Sequence, residues 1–144
     1  MWMEASCNPA WAMGAGAVLG VGLDLVRIDR AARLLEAHGE TVLRRVCHQD
    51  EVDESDCVRP SPDRLATVLA AKEAVFKALG HGVVSPLDWP QVQVRGGPAA
   101  ALVLTGPALG AVLERGVSHI LFNCGEAAGV RFALAILWRS GYDH

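Results

Sequence analysis

The chain has 144 residues, of which 51% are apolar and 20% charged. That composition folds as a single domain and excludes a wholly disordered tail or linker. A formal net charge of −3 excludes a broad electrostatic footprint for nucleic acid, so an anionic partner has to be held by a local patch or through a metal.

Residues 1–16 read as a loosely ordered leader and residues 17–144 as the domain. Val18 to Ile28, apolar and partly β-branched, predicts a strand. Asp29 predicts the cap of a helix running to His38, with Gly39 as its stop. A second short helix over Glu40 to Val46 and a turn or two within Gln49 to Ser55 follow, and Val58 to Pro62 is a loop. Asp63 then caps the strongest helix, Arg64 to Leu79, rich in Ala and Leu and closed by Gly80. Strands are expected at Trp89 to Val94 and, after the turn Gly96-Gly97-Pro98, at Ala101 to Leu104. Pro107 starts a helix to about Arg115, stopped by Gly116. Val117 to Asn123 and Val130 to Trp138 complete the set, two strands around a turn at Gly125 to Gly129. The order predicts an α+β fold, a mostly antiparallel sheet packed on a long helix.

Cys7, Cys47, Cys57 and Cys124 lie at irregular spacings without a C-x-x-C pair, the pattern of reduced thiols in a cytoplasmic protein. The uncharged run Ala5 to Leu23 has no Lys or Arg ahead of it and is broken by Pro9 and glycines. It reads as neither a signal peptide nor a membrane span.

Three features carry chemistry. Asp24 stands inside an expected strand, where aspartate is depleted, and shares a face with Gly20 and Gly22. Two glycines leave that face bare, so a ligand or another backbone can approach closely. The plain alternative ends the strand near Leu23 and leaves Asp24 solvated. Second, the only two lysines, Lys72 and Lys77, flank Glu73 on the long helix. Glu73 and Lys77 have the i,i+4 order of a surface ion pair worth a few tenths of a kcal/mol, about 0.3–0.5. Yet the residues before them are apolar nearly all round, and a carboxylate beyond such a stretch tends to have a partner. Third, Gly80-His81-Gly82 after the helix lets backbone amides approach phosphate oxygens near Lys77. No G-x-x-x-x-G-K-[ST] loop occurs, and Gly20-x-Gly22-x-x-Leu25 lacks the third glycine of a dinucleotide fingerprint. Together the features suit a magnesium ion on two carboxylates, Asp24 and Glu73, with Lys77 and the glycines holding a diphosphate.

Gly20-Val21-Gly22-Leu23-Asp24-Leu25-Val26 resembles the opening G-[IV]-G-x-D-[IL] motif of the holo-acyl-carrier-protein synthases, the small 4′-phosphopantetheinyl transferases. The run Ala70 to Val83, AAKEAVFKALGHGV, resembles their second motif, A-A-K-E-A-x-x-K-A-x-G-x-G. The likeness spans roughly Val18 to Leu137. It implies the phosphopantetheinyl transferase fold and Mg2+-dependent transfer of 4′-phosphopantetheine from coenzyme A to a serine of an acyl carrier protein, releasing 3′,5′-ADP. By position, Asp24 and Glu73 are the implied metal ligands, Glu73 takes the serine proton, and Lys77 binds the phosphates. Gly80 and Gly82 line the coenzyme A groove, and Arg30, within the stripe Arg27, Arg30 and Arg33, faces the acidic carrier protein. A homotrimer is expected, with no nucleic-acid or membrane partner.

Two departures stand out. The family's Arg-Phe pair before A-A-K-E-A is Val68-Leu69 here, with Arg64, one turn earlier, or Arg59 as possible substitutes for coenzyme A binding. The S-x-[ST]-H of the penultimate strand is Leu121-Phe122-Asn123-Cys124, with Glu126 nearby. Competing readings are a family-like protein that binds carrier or coenzyme A without transfer, and a repurposed acyl-processing enzyme using Cys124.

Overall fold

The structure is a computed structural model that describes residues 3–5, 14–52, 61–80, 89–95 and 101–141. Its elements run β1 (Met3–Ala5), β2 (Gly16–Arg27), α1 (Ile28–His38), α2 (Glu40–Val46), α3 (Pro62–Ala78), β3 (Val92–Arg95), β4 (Ala101–Leu104), α4 (Gly106–Glu114), β5 (His119–Ala127) and β6 (Val130–Ser140). The strands form two antiparallel sheets, β1-β4-β3 and β2-β6-β5, where the sequence suggested one. Within the stretch read as a leader, Met3–Ala5 pairs with β4, Met3 opposite Leu104.

Helix α3 is the centre of the molecule. It packs on β2 and β6 of one sheet and on β3 of the other, with α1 alongside. Its buried residues, among them Leu65, Ala66, Val68, Ala71, Ala74, Val75 and Ala78, point in every direction around the helix. A helix apolar all round has no face for water and ends up enclosed.

The helix starts differ from expectation in instructive ways. Ser61 caps α3: its hydroxyl accepts from the Arg64 amide at 3.3 Å, and Pro62 opens the first turn. A serine followed by proline is a stronger start than an acid two positions inside. Asp63, freed from capping, instead accepts a forked pair of hydrogen bonds from Arg131 on β6, 2.8 Å from Nε and 2.6 Å from the terminal nitrogen. Likewise α1 begins at Ile28, and Asp29 sits in its first turn, bonded to Arg27 at 2.5 Å and 3.5 Å from Arg33.

The acidic stretch after α2 gives one 3-10 turn, Gln49–Glu51. Trp89–Gln91 is another such turn, so β3 starts later than expected, at Val92. The β5–β6 hairpin is longer and tighter than expected: pairing runs to Ala127 opposite Val130, and only Ala128 and Gly129 turn the chain. Their φ values of 50° and 76° are those of a two-residue primed turn, whose twist suits a hairpin. The turn at Gly96-Gly97-Pro98 and the loop residues 58–60 lie outside the described residues.

Candidate active site

The bare face of β2 is covered by another backbone. A methyl added at Gly22 would strike the Ala74 carbonyl oxygen and lie 2.7 Å from the Ala78 amide nitrogen; one added at Gly20 would strike the Ala78 carbonyl oxygen. Opposite these glycines on β6 stand Leu137 at Gly20, Ala135 at Gly22 and, one step on, Ala133 at Asp24. Small residues therefore let α3 settle onto the sheet at backbone contact. The next inward position on β2 is Asp24, so its carboxylate lies beside the last turn of α3.

That proximity changes who pairs with whom. Among the described residues Glu73 and Lys77 form no ion pair, although their spacing suits one. Lys77 reaches across to β2, its Nζ 2.7 Å from Asp24 Oδ1 and 3.2 Å from the Leu23 carbonyl oxygen. The Asp24 side chain is 15% exposed and that of Lys77 49%. The hydrogen bond to Asp24, opposed by some loss of hydration, raises the Lys77 ammonium above the usual lysine range. Glu73 is half-buried. Burial, and then the neighbouring Asp24 charge, push its carboxyl above the usual carboxylate range against the pull of Lys77 and Arg30. The site thus gathers two carboxylates and one ammonium, with the guanidinium of Arg30 close enough to act on Glu73.

The other expected residues distribute unevenly. Gly80 ends α3 with φ of 74°, its amide bonded to the Lys77 carbonyl at 2.9 Å. Gly82 and Arg59 lie outside the described residues. Arg27 and Arg33 both converge on Asp29, leaving Arg30 as the member of the stripe that faces the site. Arg64 is drawn inward, its guanidinium 2.7 Å from the Val94 carbonyl oxygen and 3.5 Å from that of Glu51.

Sequence reasoning missed the partner of Lys72. Its side chain and that of Glu51 are both 0% exposed and meet at 2.7 Å. Burial lowers the Lys72 ammonium below the usual lysine range, and the Glu51 charge and hydrogen bond partly restore it. The available signal was a lysine set in an otherwise apolar turn of helix, which can be enclosed only with an acid opposite.

The family described as the 4′-phosphopantetheinyl transferase superfamily matches residues 20–135. The chain is 36% identical over 123 residues to the holo-[acyl-carrier-protein] synthase of Desulforudis audaxviator, covering 83% of this chain and 93% of that relative. The chain belongs to the 4′-phosphopantetheinyl transferase superfamily. Its fold is that of the holo-[acyl-carrier-protein] synthase of Neisseria meningitidis, with a TM-score of 0.71 and 25% identity over 84% of this chain and 98% of that one. A similar structure from Helicobacter pylori, in complex with coenzyme A, has a TM-score of 0.61 at 22% identity over 81% of this chain and 98% of that one.

This transferase departs from the expected motifs at positions that are not equivalent in space. Val68, where the family pattern has arginine, is fully buried in the core rather than facing a cleft. Leu121 pairs with Ile136, Asn123 with Leu134 and Cys124 with Ala133, so of the three substituted positions of β5 Cys124 faces the opposite side of the sheet from the other two. Cys124 lies on the same face as Asp24, in one row across Ala133. Leu121 joins the outer face, where Val21, Leu23 and Leu25 of β2 are 56%, 53% and 62% exposed.

Proposed function

We propose that this transferase carries 4′-phosphopantetheine from coenzyme A to a serine of an acyl carrier protein, with Asp24, Glu73 and Lys77 as its working groups. The observation that carries the reading is the Lys77–Asp24 contact at 2.7 Å, which draws a cation and two carboxylates from opposite parts of the chain to one spot. In the transfer the serine Oγ forms a bond to the phosphorus that bears the pantetheine arm. The bond from that phosphorus to the bridging oxygen breaks, and 3′,5′-ADP leaves with the electron pair. Glu73, its carboxyl raised by burial, is the stronger base for that and accepts the serine proton. Lys77 has three N–H donors, two engaged by Asp24 and Leu23, and offers the third to a diphosphate oxygen.

Asp24 and Glu73 suit magnesium. The Glu73 carboxylate accepts no hydrogen bond among the described residues, and the two carboxylates are close enough for Asp24 to act on the Glu73 charge. Magnesium needs one or two carboxylates and takes its remaining ligands from water and phosphates, so the lack of a third acidic or imidazole group among the described residues is in keeping. When bound, the ion supplies positive charge to the diphosphate oxygens.

Arg30, with Arg27 and Arg33 beside it, is the proposed contact for the acidic carrier protein. Gly80 borders the proposed coenzyme A groove. Arg64 is left out of that groove because backbone carbonyls hold its guanidinium. The outer face of β2-β6-β5, apolar at Val21, Leu23 and Leu25, is the proposed contact between copies in a homotrimer. No helix of the described residues is long and apolar enough to cross a membrane, and the proposed place of work is the cytoplasm.

The test is incubation with coenzyme A, Mg2+ and a panel of apo carrier proteins, read by intact mass. A phosphopantetheine adduct that is lost in Asp24→Asn and Glu73→Gln is the expected result. Coenzyme A binding without an adduct on any carrier would replace this reading with that of a non-transferring binder.

A further inference from the structure

We infer that Glu51 and Lys72 are positioning residues, a buried strut that sets how α3 is rotated on the sheet and thereby where Glu73 points. The inference rests on the proposed role of Glu73. Lys72 Nζ donates to Glu51 Oε2 at 2.7 Å and to the Trp89 carbonyl at 2.9 Å. Glu51 in turn accepts from the His48 amide at 2.6 Å and from the Val94 amide at 2.7 Å. The carboxylate is therefore fixed by backbone at two points, one in the turn after α2 and one on β3, before the lysine arrives.

The need for such a strut follows from what α3 lacks. Its contact with β2 is backbone against glycine, at Ala74 and Ala78 over Gly22 and Gly20. Many of its buried side chains are alanines: Ala66, Ala70, Ala71, Ala74 and Ala78. Helices register against neighbours through ridges of side chains set in grooves, and methyl groups make low ridges. The glycine contacts set how high α3 rides above the sheet but give little resistance to turning about its own axis. Lys72 adds a directional hold to that of the larger buried side chains Val68, Val75 and Phe76, because an ammonium with an acceptor on either side tolerates little displacement. Glu73 is the next residue, about 1.5 Å along the axis and about 100° around it. A rotation of about 20° moves a side-chain tip roughly 6 Å from the axis by about 2 Å. That is enough to part Glu73 from Asp24 without unfolding anything.

Bulk stability does not account for the pair, since buried ion pairs are often matched by apolar groups of the same volume. A specific orientation does account for it. The test is the double variant Lys72→Met with Glu51→Gln, which removes both charges at nearly constant volume. Transfer is measured per folded molecule, alongside Val112→Ala in the core of α4 as a control for general destabilisation. The expected result is a folded double variant whose kcat is at least tenfold lower, with KM for coenzyme A within about twofold of wild type. Val112→Ala should keep its kcat.

Wild-type kcat in the folded double variant would overturn the inference. A crystal structure of that variant gives a readout independent of activity: α3 turned, with Glu73 displaced from Asp24, supports the strut, and α3 seated as in wild type overturns it. Should the double variant not fold, Lys72→Gln, which keeps a donor for Trp89, is judged by the same two measurements. If wild type itself transfers nothing while the variant helix is displaced, the proposed function falls and the strut stands.

Discussion

Adding a single methyl at Gly22 tests the seat of the long helix. In Gly22→Ala that carbon would strike the Ala74 carbonyl oxygen, lie 2.7 Å from the Ala78 nitrogen and lie 2.8 Å from the Ala74 carbonyl carbon. Non-bonded carbon contacts settle at about 3.5–4.0 Å, so α3 has to lift by roughly 1 Å. Every obstacle is backbone, and no side chain can swing aside. The cost should fall at the upper end of the range for overpacking, about 3 kcal/mol. The lift also stretches the 2.7 Å Lys77–Asp24 bond, and a misplacement of about 1 Å at a reacting centre costs roughly 100-fold in rate. Urea denaturation reads the first effect and intact-mass transfer kinetics the second. Gly110→Ala in α4 is the control: nothing lies within 4 Å of its added methyl, so the same change there should stabilise by about 0.5–1 kcal/mol. A Gly22→Ala protein with wild-type midpoint and wild-type rate would refute the claim that close approach assembles the site.

Because burial raises the Glu73 carboxyl above its unfolded value, its contribution favours folding below about pH 4.3 and is lost as pH rises through the raised value. Glu73→Gln should therefore melt higher than wild type at pH 8 and converge with it near pH 4; a gap independent of pH would contradict the shift. Lys77→Met should slow transfer by about 100-fold or more. Its melting should change little, since the lysine is 49% exposed and such pairs contribute at most about 1 kcal/mol. Lys72→Met alone strands the Glu51 charge and should cost about 3–5 kcal/mol in urea, with Glu51→Gln restoring much of it; additive losses would argue against the pairing. Leu23→Asp with Leu25→Asp should reduce the proposed trimer to monomers by light scattering, and an unchanged oligomeric mass would remove the outer face of β2 as the contact.

Local signals placed most of the fold. Gly39, Gly80 and Gly116 mark helix ends, and the Ala-rich run gave α3 its extent within two residues. What local signals do not carry is competition between partners. Ser61 took the cap of α3 from Asp63 because proline follows it, and the freed acid found Arg131 far along the chain. The glycines of β2 announced a close approach, and whether ligand or backbone made it depended on where α3 lay. The Glu73–Lys77 spacing pointed to a pair on one helix, yet the nearer Asp24 won the lysine. Lys72 was conspicuous as a charge in an apolar helix, but its acid is in a short turn with no periodicity to direct attention to Glu51. The division of the strands between two sheets was not legible for the same reason, since strand lengths are local and their grouping is not.

The strand that carries Asp24 finds its neighbour at the far end of the polypeptide, with Asp24 opposite Ala133 and Gly22 opposite Ala135. A chain emerging from the ribosome therefore has α3 to lay on those glycines first, but β2 lacks its sheet neighbour until the closing hairpin has been made. Pairings so distant in sequence are slow to close, which puts completion of the proposed site among the final events of folding. Shortening the chain within β6 would then leave helices intact in circular dichroism while β2, with Asp24, has no sheet to hold it against Glu73.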